Sequence, residues 1–247
     1  MVENIFILMP AYNAGATIES VFERIPAEAR RRIRRYVVVN DGSSDDTEAA
    51  LARLRTRFPT LVALTHARNR GYGAAEKTLL RYALDQHADL GIVLHSDGQY
   101  SPESIPELTA PFDEDSADMV QGSRMLGSGA LKGGMPVYKF VANKALTAIE
   151  NLAFGMKMAE YHSGYMLYSR RTMASIPFER LSDSFDFDLE MIVMARVLGL
   201  RVAEIPIPTV YAGEVSHLKP IQYGLRVLRI IGNYLLGKYG SLARCLD

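Results

Sequence analysis

The sequence predicts an α/β protein built on a doubly wound, mostly parallel central sheet flanked by helices. Three observations predict it. Short apolar runs alternate with longer segments of helical period through the first half of the chain, the signature of successive right-handed βαβ crossovers. The runs lack polar alternation, as at Val37, Val38 and Val39, which is what burial on both faces asks of a parallel strand. Each run also hands over to a helix through a polar loop, and in open sheets of this kind ligands bind where such loops gather, at the carboxyl ends of the strands.

Runs at 5–9, 36–39, 61–65 and 90–94 read as four strands, separated by helices near 17–25, 46–57 and 74–87. Thr17 precedes the first helix, Ser44 and Asp45 precede the second, and the small residues Gly73, Ala74 and Ala75 open the third, all favourable helix starts. Past residue 118 a strand at 119–122 leads into the glycine-rich 127–134, then a helix at 136–154 and a strand at 165–169. A helix at 186–198 and a strand at 202–207 follow, closed by Pro206 and Pro208. The tail over 220–239 sets Gln222, Arg226, Arg229 and Asn233 at helical spacing among Ile221, Leu225, Leu228, Ile231 and Leu235, an amphipathic helix. Without a long linker, repeat or low-complexity tract, a single domain over 1–247 is expected. Its nucleotide-type half is 1–118, its elaborated acceptor and catalytic half 119–218, and its C-terminal helix and tail 219–247.

Composition excludes several classes. Twenty-eight basic and 28 acidic residues cancel, so the chain lacks the positive field of a dedicated nucleic-acid binder, and no nucleic-acid partner is expected. The one cysteine, Cys245, rules out an internal disulfide framework and suits a reducing compartment. Glu3 stands where a signal peptide needs basic residues, and no stretch reaches the ~18 uninterrupted apolar residues of a membrane span. A cytoplasmic protein is expected, soluble or peripheral on the inner face of the membrane.

The chemistry concentrates in four loops, 10–13, 40–46, 69–73 and 95–99, each following a strand. Asn40-Asp-Gly-Ser43 alone is ordinary turn chemistry, but four such loops at successive strand ends are a more specific signal. Asp41 falls where a carboxylate can accept from ribose hydroxyls or a base N–H. Asp97 lies one crossover further on, where a divalent cation held with Gln99 would reverse the repulsion between a carboxylate and a diphosphate. The first loop, Pro10-Ala-Tyr-Asn-Ala-Gly15, is neither a dinucleotide nor a P-loop glycine motif, which argues against redox cofactors and phosphoryl transfer. It also lacks the glycine- and arginine-rich turn expected of a nucleotidyltransferase.

Six motifs in order, Pro10–Asn13, Val39–Thr47, Asn69–Ala74, Ser96–Glu103, Gly122–Arg124 and Ser163–Arg170, resemble those of family-two glycosyltransferases, with the dolichyl- or polyprenyl-phosphate mannosyltransferase and glucosyltransferase branch most similar. The resemblance covers about residues 5–218. It implies a GT-A fold, a UDP- or GDP-hexose donor, a Mg or Mn ion, inversion at the anomeric carbon and a lipid-phosphate acceptor as one alternative. Carried onto this chain, it implies a base pocket of Pro10, Ala11 and Tyr12, with Asp41 on base or ribose. Asn13, Gly42, Asn69, Gly73, Ser96 and Asp97 complete the nucleotide set. Asp97 and Gln99 match the metal positions, with His217 as a further ligand from the late loop 213–217. Arg124 matches a residue near the phosphates or acceptor, Ser163 and Gly164 border the sugar pocket, and Arg170, with Lys132, is a candidate for steering an acceptor phosphate.

Three departures stand out: His95 replaces the first acid of the common Asp-x-Asp, Asn40 the first acid of Asp-Asp-Gly-Ser, and Ala14 an acid after the first loop. His95 is either a substitute ligand or, preferably, a buried histidine. In the acid-rich stretch 182–190, Asp183 and Asp186 suit a first helical turn. Asp188 and Glu190, two apart, cannot share a face, so Asp188 is taken as the general-base candidate with Glu160 as runner-up. A base is needed only for a hydroxyl acceptor. The tail helix packs on its own chain or a second copy in one reading and lies on a membrane in the other. The rival to catalysis is a sugar-nucleotide binder with impaired activity.

Overall fold

The computed structural model describes residues 2–127, 129–208 and 220–244. Seven strands, β1 (Ile5–Ala11), β2 (Ile33–Asn40), β3 (Leu61–Thr65), β4 (Leu90–Val93), β5 (Met119–Ser123), β6 (Met166–Ser169) and β7 (Val202–Pro206), form one sheet. Its order is β3-β2-β1-β4-β6-β5-β7. The pairs β1–β2, β2–β3, β1–β4 and β5–β7 are parallel, and β6 runs antiparallel to both its neighbours.

The strand sequences follow from burial on both faces. Along β1, Phe6 and Leu8 enter one core layer while Ile5, Ile7 and Met9 enter the other. Along β2, Val37 and Val39 oppose Tyr36 and Val38 in the same way. An apolar residue is therefore needed at every position, and the period-2 signal disappears. One face is covered by α1 (Ile18–Arg24), α2 (Ala27–Arg32), α3 (Thr47–Arg57) and α5 (Ile105–Asp113). The other face carries α4 (Tyr72–Asp85), α7 (Val137–Phe154), which follows the short α6 (Gly129–Lys132), then α8 (Arg170–Ser175), α9 (Phe187–Val197), α10 (Pro220–Leu235) and α11 (Lys238–Ala243).

The expected strands and main helices are all present, with four additions or corrections. The arginine-rich α2 has no apolar period to announce it. A 3₁₀ turn at Pro102–Ser104 and α5 carry Pro102, Pro106 and Pro111, residues that ordinarily argue against a helix; Pro102 and Pro106 sit at first-turn positions, where the missing N–H costs nothing. The third is α8, in a segment read only as the end of a strand. Finally, the tail is two helices rather than one, because Gly237 takes a left-handed φ of 71° and turns the chain between α10 and α11. The inner face of α10, with Val227, Ile230 and Ile231, lies in the core. No helix among the described residues is long and apolar enough to cross a membrane.

Phe22 anchors the first layer against Tyr36 at 5.3 Å and Phe58 at 5.0 Å between ring centroids, with no exposed surface. Phe22→Ala should lower unfolding stability by about 3–5 kcal/mol, seen as a lower urea midpoint at an unchanged m-value.

Candidate active site

At the carboxyl edge of the sheet the loops are tied to one another. Asn13, at a positive φ of 52°, receives Ser44 N–H on its Oδ1 at 2.9 Å, while its own N–H donates to Ser43 Oγ at 2.9 Å. Asn40 accepts from Ser43 N–H at 3.0 Å and donates to Glu48 at 3.1 Å, so the amide in place of an acid closes its own turn. Ser96 Oγ donates to Pro10 C=O at 2.9 Å, and Thr17 Oγ1 to Ser96 C=O at 2.7 Å. These bonds join the ends of β1, β2 and β4. Tyr12 stands half-exposed above them beside the buried Ala11, and Asn69 is exposed.

Asp41 is the hub of the second loop. It is buried, and its carboxylate accepts from His66 Nδ1 at 2.6 Å, Arg70 N–H at 2.9 Å and Gly71 N–H at 2.9 Å. The carboxylate is thus engaged in shaping loop 66–71. Gly42, at φ 69°, lies under that loop, where a Cβ would come within 2.4 Å of Arg68 backbone. Gly73 lets α4 approach the segment before α9: a Cβ there would be 2.4 Å from Ser182 C=O. Lys77 fastens the same contact by donating to Asp183 at 2.6 Å.

Below the fourth loop lies a buried polar cluster. The Tyr72 hydroxyl donates to Asp188 Oδ2 at 2.8 Å and stands 3.0 Å from His95 Nε2. A phenol has one hydrogen, so while Tyr72 donates to Asp188 the second contact calls for the His95 tautomer that carries Nε2–H. The Tyr168 hydroxyl donates to Asp188 Oδ1 at 3.3 Å. Burial pushes the Asp188 carboxyl up to about 7, against the opposing pull of its tyrosine donors. Burial holds the His95 imidazole below its ordinary value, opposed by the nearby Asp97. Glu190, by contrast, faces the other way and accepts from Ser182 N–H and Tyr239 OH, each at 2.6 Å.

Gly164 covers this cluster. Its N–H donates to Tyr100 OH at 2.8 Å, and a Cβ would come within 2.8 Å of His95 Nε2 and 2.9 Å of Tyr72 OH. Ser163 Oγ donates to Gly122 C=O at 2.5 Å. Beside it Arg124 is paired to the fully buried Glu160 at 2.8 Å and also donates to His162 C=O at 2.7 Å. Glu160 further accepts from Met125 N–H at 3.3 Å, so it is committed to holding the end of β5.

Asp97, half-buried, accepts from Gln99 N–H on Oδ1 at 3.0 Å. Among the described residues no group of three or more His, Cys, Asp and Glu side chains converges as a metal cage, and His217 lies outside the described residues, as does the whole loop 213–217. Arg170 is not brought to this edge. Because β6 is antiparallel, its C-terminal end meets the start of β4, where Arg170 N–H donates to Asp89 C=O at 2.8 Å and its guanidinium contacts His87 at 3.1 Å. A parallel reading of 165–169 would have put it at the site. Sequence reasoning passed over Tyr72, Glu76, Tyr100 and Tyr168. The usable signal was in α4, where Tyr72, Glu76, Leu79 and Ala83 fall on one face, placing an acid in an apolar row.

A twisted α/β sheet with its polar loops, a half-buried carboxylate and an Arg–Glu pair gathered at one end is the architecture of a GT-A glycosyltransferase. The family model described as glycosyl transferase family 2 matches residues 6–176, and the chain belongs to this family. Over 84% of its length it is 27% identical to a UDP-N-acetylglucosamine–dolichyl-phosphate N-acetylglucosaminyltransferase of Methanococcus voltae, covering 86% of that protein. It is 26% identical to an undecaprenyl-phosphate mannosyltransferase of Micrococcus luteus over 69% of this chain and 70% of the relative. The glucosyl-3-phosphoglycerate synthase of Mycobacterium tuberculosis, solved with Mn2+, UDP and glucosyl-3-phosphoglycerate, shares the fold. Its TM-score is 0.67 over 96% of this chain and 80% of that one, at 20% identity.

Gly164→Ala should displace His95 or Tyr72, lowering stability by about 1–3 kcal/mol as overpacking does and lowering glycosyl transfer by more than the fraction unfolded. Thermal melts and turnover measured on the same samples check both.

Proposed function

We propose that this glycosyltransferase moves a hexose-class sugar, with inversion, from a UDP- or GDP-sugar to a polyprenyl phosphate. The observation that carries the reading is the meeting of the Asp97 loop, the Arg124–Glu160 pair and the Gly164 floor at one sheet edge, with both the Asp97 and the Arg124 charge felt at His95. The names of the two polyprenyl-phosphate relatives support the acceptor class. In the transfer an acceptor oxygen attacks the anomeric carbon opposite the diphosphate, the new C–O bond forms as the old one breaks, and the electron pair leaves on the diphosphate. A phosphate acceptor is already anionic, so no base is required. Tyr12 offers a surface for the base, and loops 40–43 and 69–73 offer one for the ribose.

The donor set at Asp97 fits a hard dication. One carboxylate oxygen is turned to Gln99 N–H, and the other is available to a cation whose remaining ligands would come from diphosphate and water. Asp97 and Gln99, with His217, would hold Mg or Mn, which when bound neutralises charge on the leaving group. Mn2+ accompanies UDP in the structural relative.

Peripheral attachment to a membrane is supported by the surface of α7. Val137, Tyr138, Val141, Ile149 and Leu152 are exposed along it, Leu152 at 87%. Between residues 125 and 160 the only acids are Glu150 and Glu160, both fully buried, so Lys144 and Lys157 face solvent without acidic neighbours in that segment. Leu225 and Leu228 add an exposed pair on α10. Apolar side chains rimmed by lysines suit an anionic lipid interface.

The elevated Asp188 carboxyl favours a second reading, transfer to a hydroxyl with Asp188 as base. Asp188→Asn distinguishes them: it should leave transfer to a short polyprenyl phosphate within about tenfold of wild type, whereas a hydroxyl-transfer base would lose about 10²–10⁴-fold. In calorimetry, Mn should tighten UDP or GDP binding, and Asp97→Ala should remove that gain, about 1.4 kcal/mol for each tenfold. A nucleotide affinity indifferent to both would defeat the metal assignment, and binding without turnover would point to an impaired enzyme. Co-sedimentation with anionic liposomes should be weakened by salt and by Leu152→Glu with Leu228→Glu. These surface changes are cleaner than deleting 220–247, which would strip Val227, Ile230 and Ile231 from the core.

A further inference from the structure

Glu76 is a buried group that the transfer chemistry does not use. It lies one turn after Tyr72 in α4, has no exposed surface, and neither carboxyl oxygen meets a donor. Its neighbours are the Asp188 carboxyl and the Tyr72 hydroxyl. Both phenol hydrogens within reach, those of Tyr72 and Tyr168, are directed to Asp188. Among the described residues no cation is turned toward the group. Lys77 on the same helix bonds Asp183 and Leu181 C=O, and His66 bonds Asp41 and Thr78. The strands beneath contribute Phe6, Leu8, Val37 and Val39. From β6 comes Tyr168, from the end of β4 His95 by way of Tyr72, from α9 Asp188 with Asp186 further out, and from α10 Tyr223.

Two carboxylates in contact can only accept, and without a counter-ion in a dry site they cannot both be ionised. The hydrogen count decides which is which. Asp188 already has two donors and is the stabilised anion, while Glu76 has none and can complete its bonding only by carrying a proton and giving it to Asp188. We propose that Glu76 is a protonated carboxylic acid at neutral pH, bound to the Asp188 carboxylate, and acts as a positioning residue that fixes Tyr72, and through it His95, beneath Gly164.

The consequence for the ring is directional. With Asp188 anionic the Tyr72 hydrogen points at it, and the Tyr72 oxygen accepts from His95. With a second charge on Glu76 the pair repels and the Tyr72–His95 arrangement loses its reference. The inference stands apart from the donor and acceptor assignments, so the deciding measurements do not use turnover. Burial and the Asp188 charge raise the Glu76 carboxyl well above its ordinary range, and burial raises Asp188. A folded pKa raised above the unfolded one gives stability that is complete at low pH and lost as pH rises through the folded value.

The test uses isotope-edited infrared spectra of the full chain at neutral pH with thermal melts from about pH 5 to 8. Wild type should show a protonated carboxylic C=O band and a melting temperature that falls as pH rises, because the Glu76 carboxyl is raised well above its ordinary range. Glu76→Gln, which keeps a neutral donor to Asp188, should lose the band, flatten the pH dependence and hold the neutral-pH melting temperature, whereas Glu76→Ala should lose the band and melt lower. Absence of the band in wild type, or its persistence in Glu76→Gln with an unchanged pH slope, overturns the proposal. If Glu76→Gln does not fold, wild type alone decides. A band that disappears with the loss of stability as pH rises supports the pair, and a band that is absent or insensitive to pH overturns it.

Discussion

A carboxylate taken out of water is tolerable only while it keeps its hydrogen bonds, and this chain uses that constraint to fasten nearly every loop at the functional edge. Asp41 holds the N–H groups of Arg70 and Gly71. Glu204 holds those of Ala159 and Glu160, while Glu160 itself grips Arg124 and Met125. Glu190 does the same for Ser182. In each case the acid and the amides belong to different loops or elements, so each bond also sets a distance between segments. These acids close on backbone amides of other segments, whereas Asp97 accepts from Gln99 N–H within its own loop.

Such fastening explains how a surface made of loops can be geometrically definite. Charged hydrogen bonds to backbone N–H are stronger than neutral ones, and each one lost leaves a buried charge behind, so the alternatives to the folded loop are poor. Glycine completes the design where acids cannot reach. At Gly73 the Ser182 carbonyl, and at Gly164 the His95 and Tyr72 side chains, fill the space a Cβ would need.

Much of this was legible in the chain. The strands announced themselves by apolar runs that burial on both faces makes nearly compulsory, and the loops by their position after them. The direction of β6 was not legible: an apolar run of four reads the same both ways, and that ambiguity moved Arg170 from the site to the opposite end of the sheet. The tail's apolar period was visible, but the turn at Gly237 was not, since glycine inside a periodic segment marks either a weak helix or a stop. Asp188 was found through its helix face. Its partners Tyr72, Tyr168 and Glu76 come from two elements of unrelated sequence position, and only the sheet order brings them together.

The attachment of the tail bears on how the chain assembles. The Tyr239 hydroxyl meets Glu190 across 49 positions, and the Tyr234 hydroxyl meets the Phe154 carbonyl across 80, so the tail closes over α7 and α9. Closing wide loops costs more chain entropy than closing short ones and slows the step that depends on it. Without α10 and α11 in place, Phe154, against whose ring Tyr234 packs at 5.1 Å, loses part of its cover. A chain caught at that stage has a formed sheet beside an unsealed apolar trough, the kind of intermediate that self-associates as concentration rises.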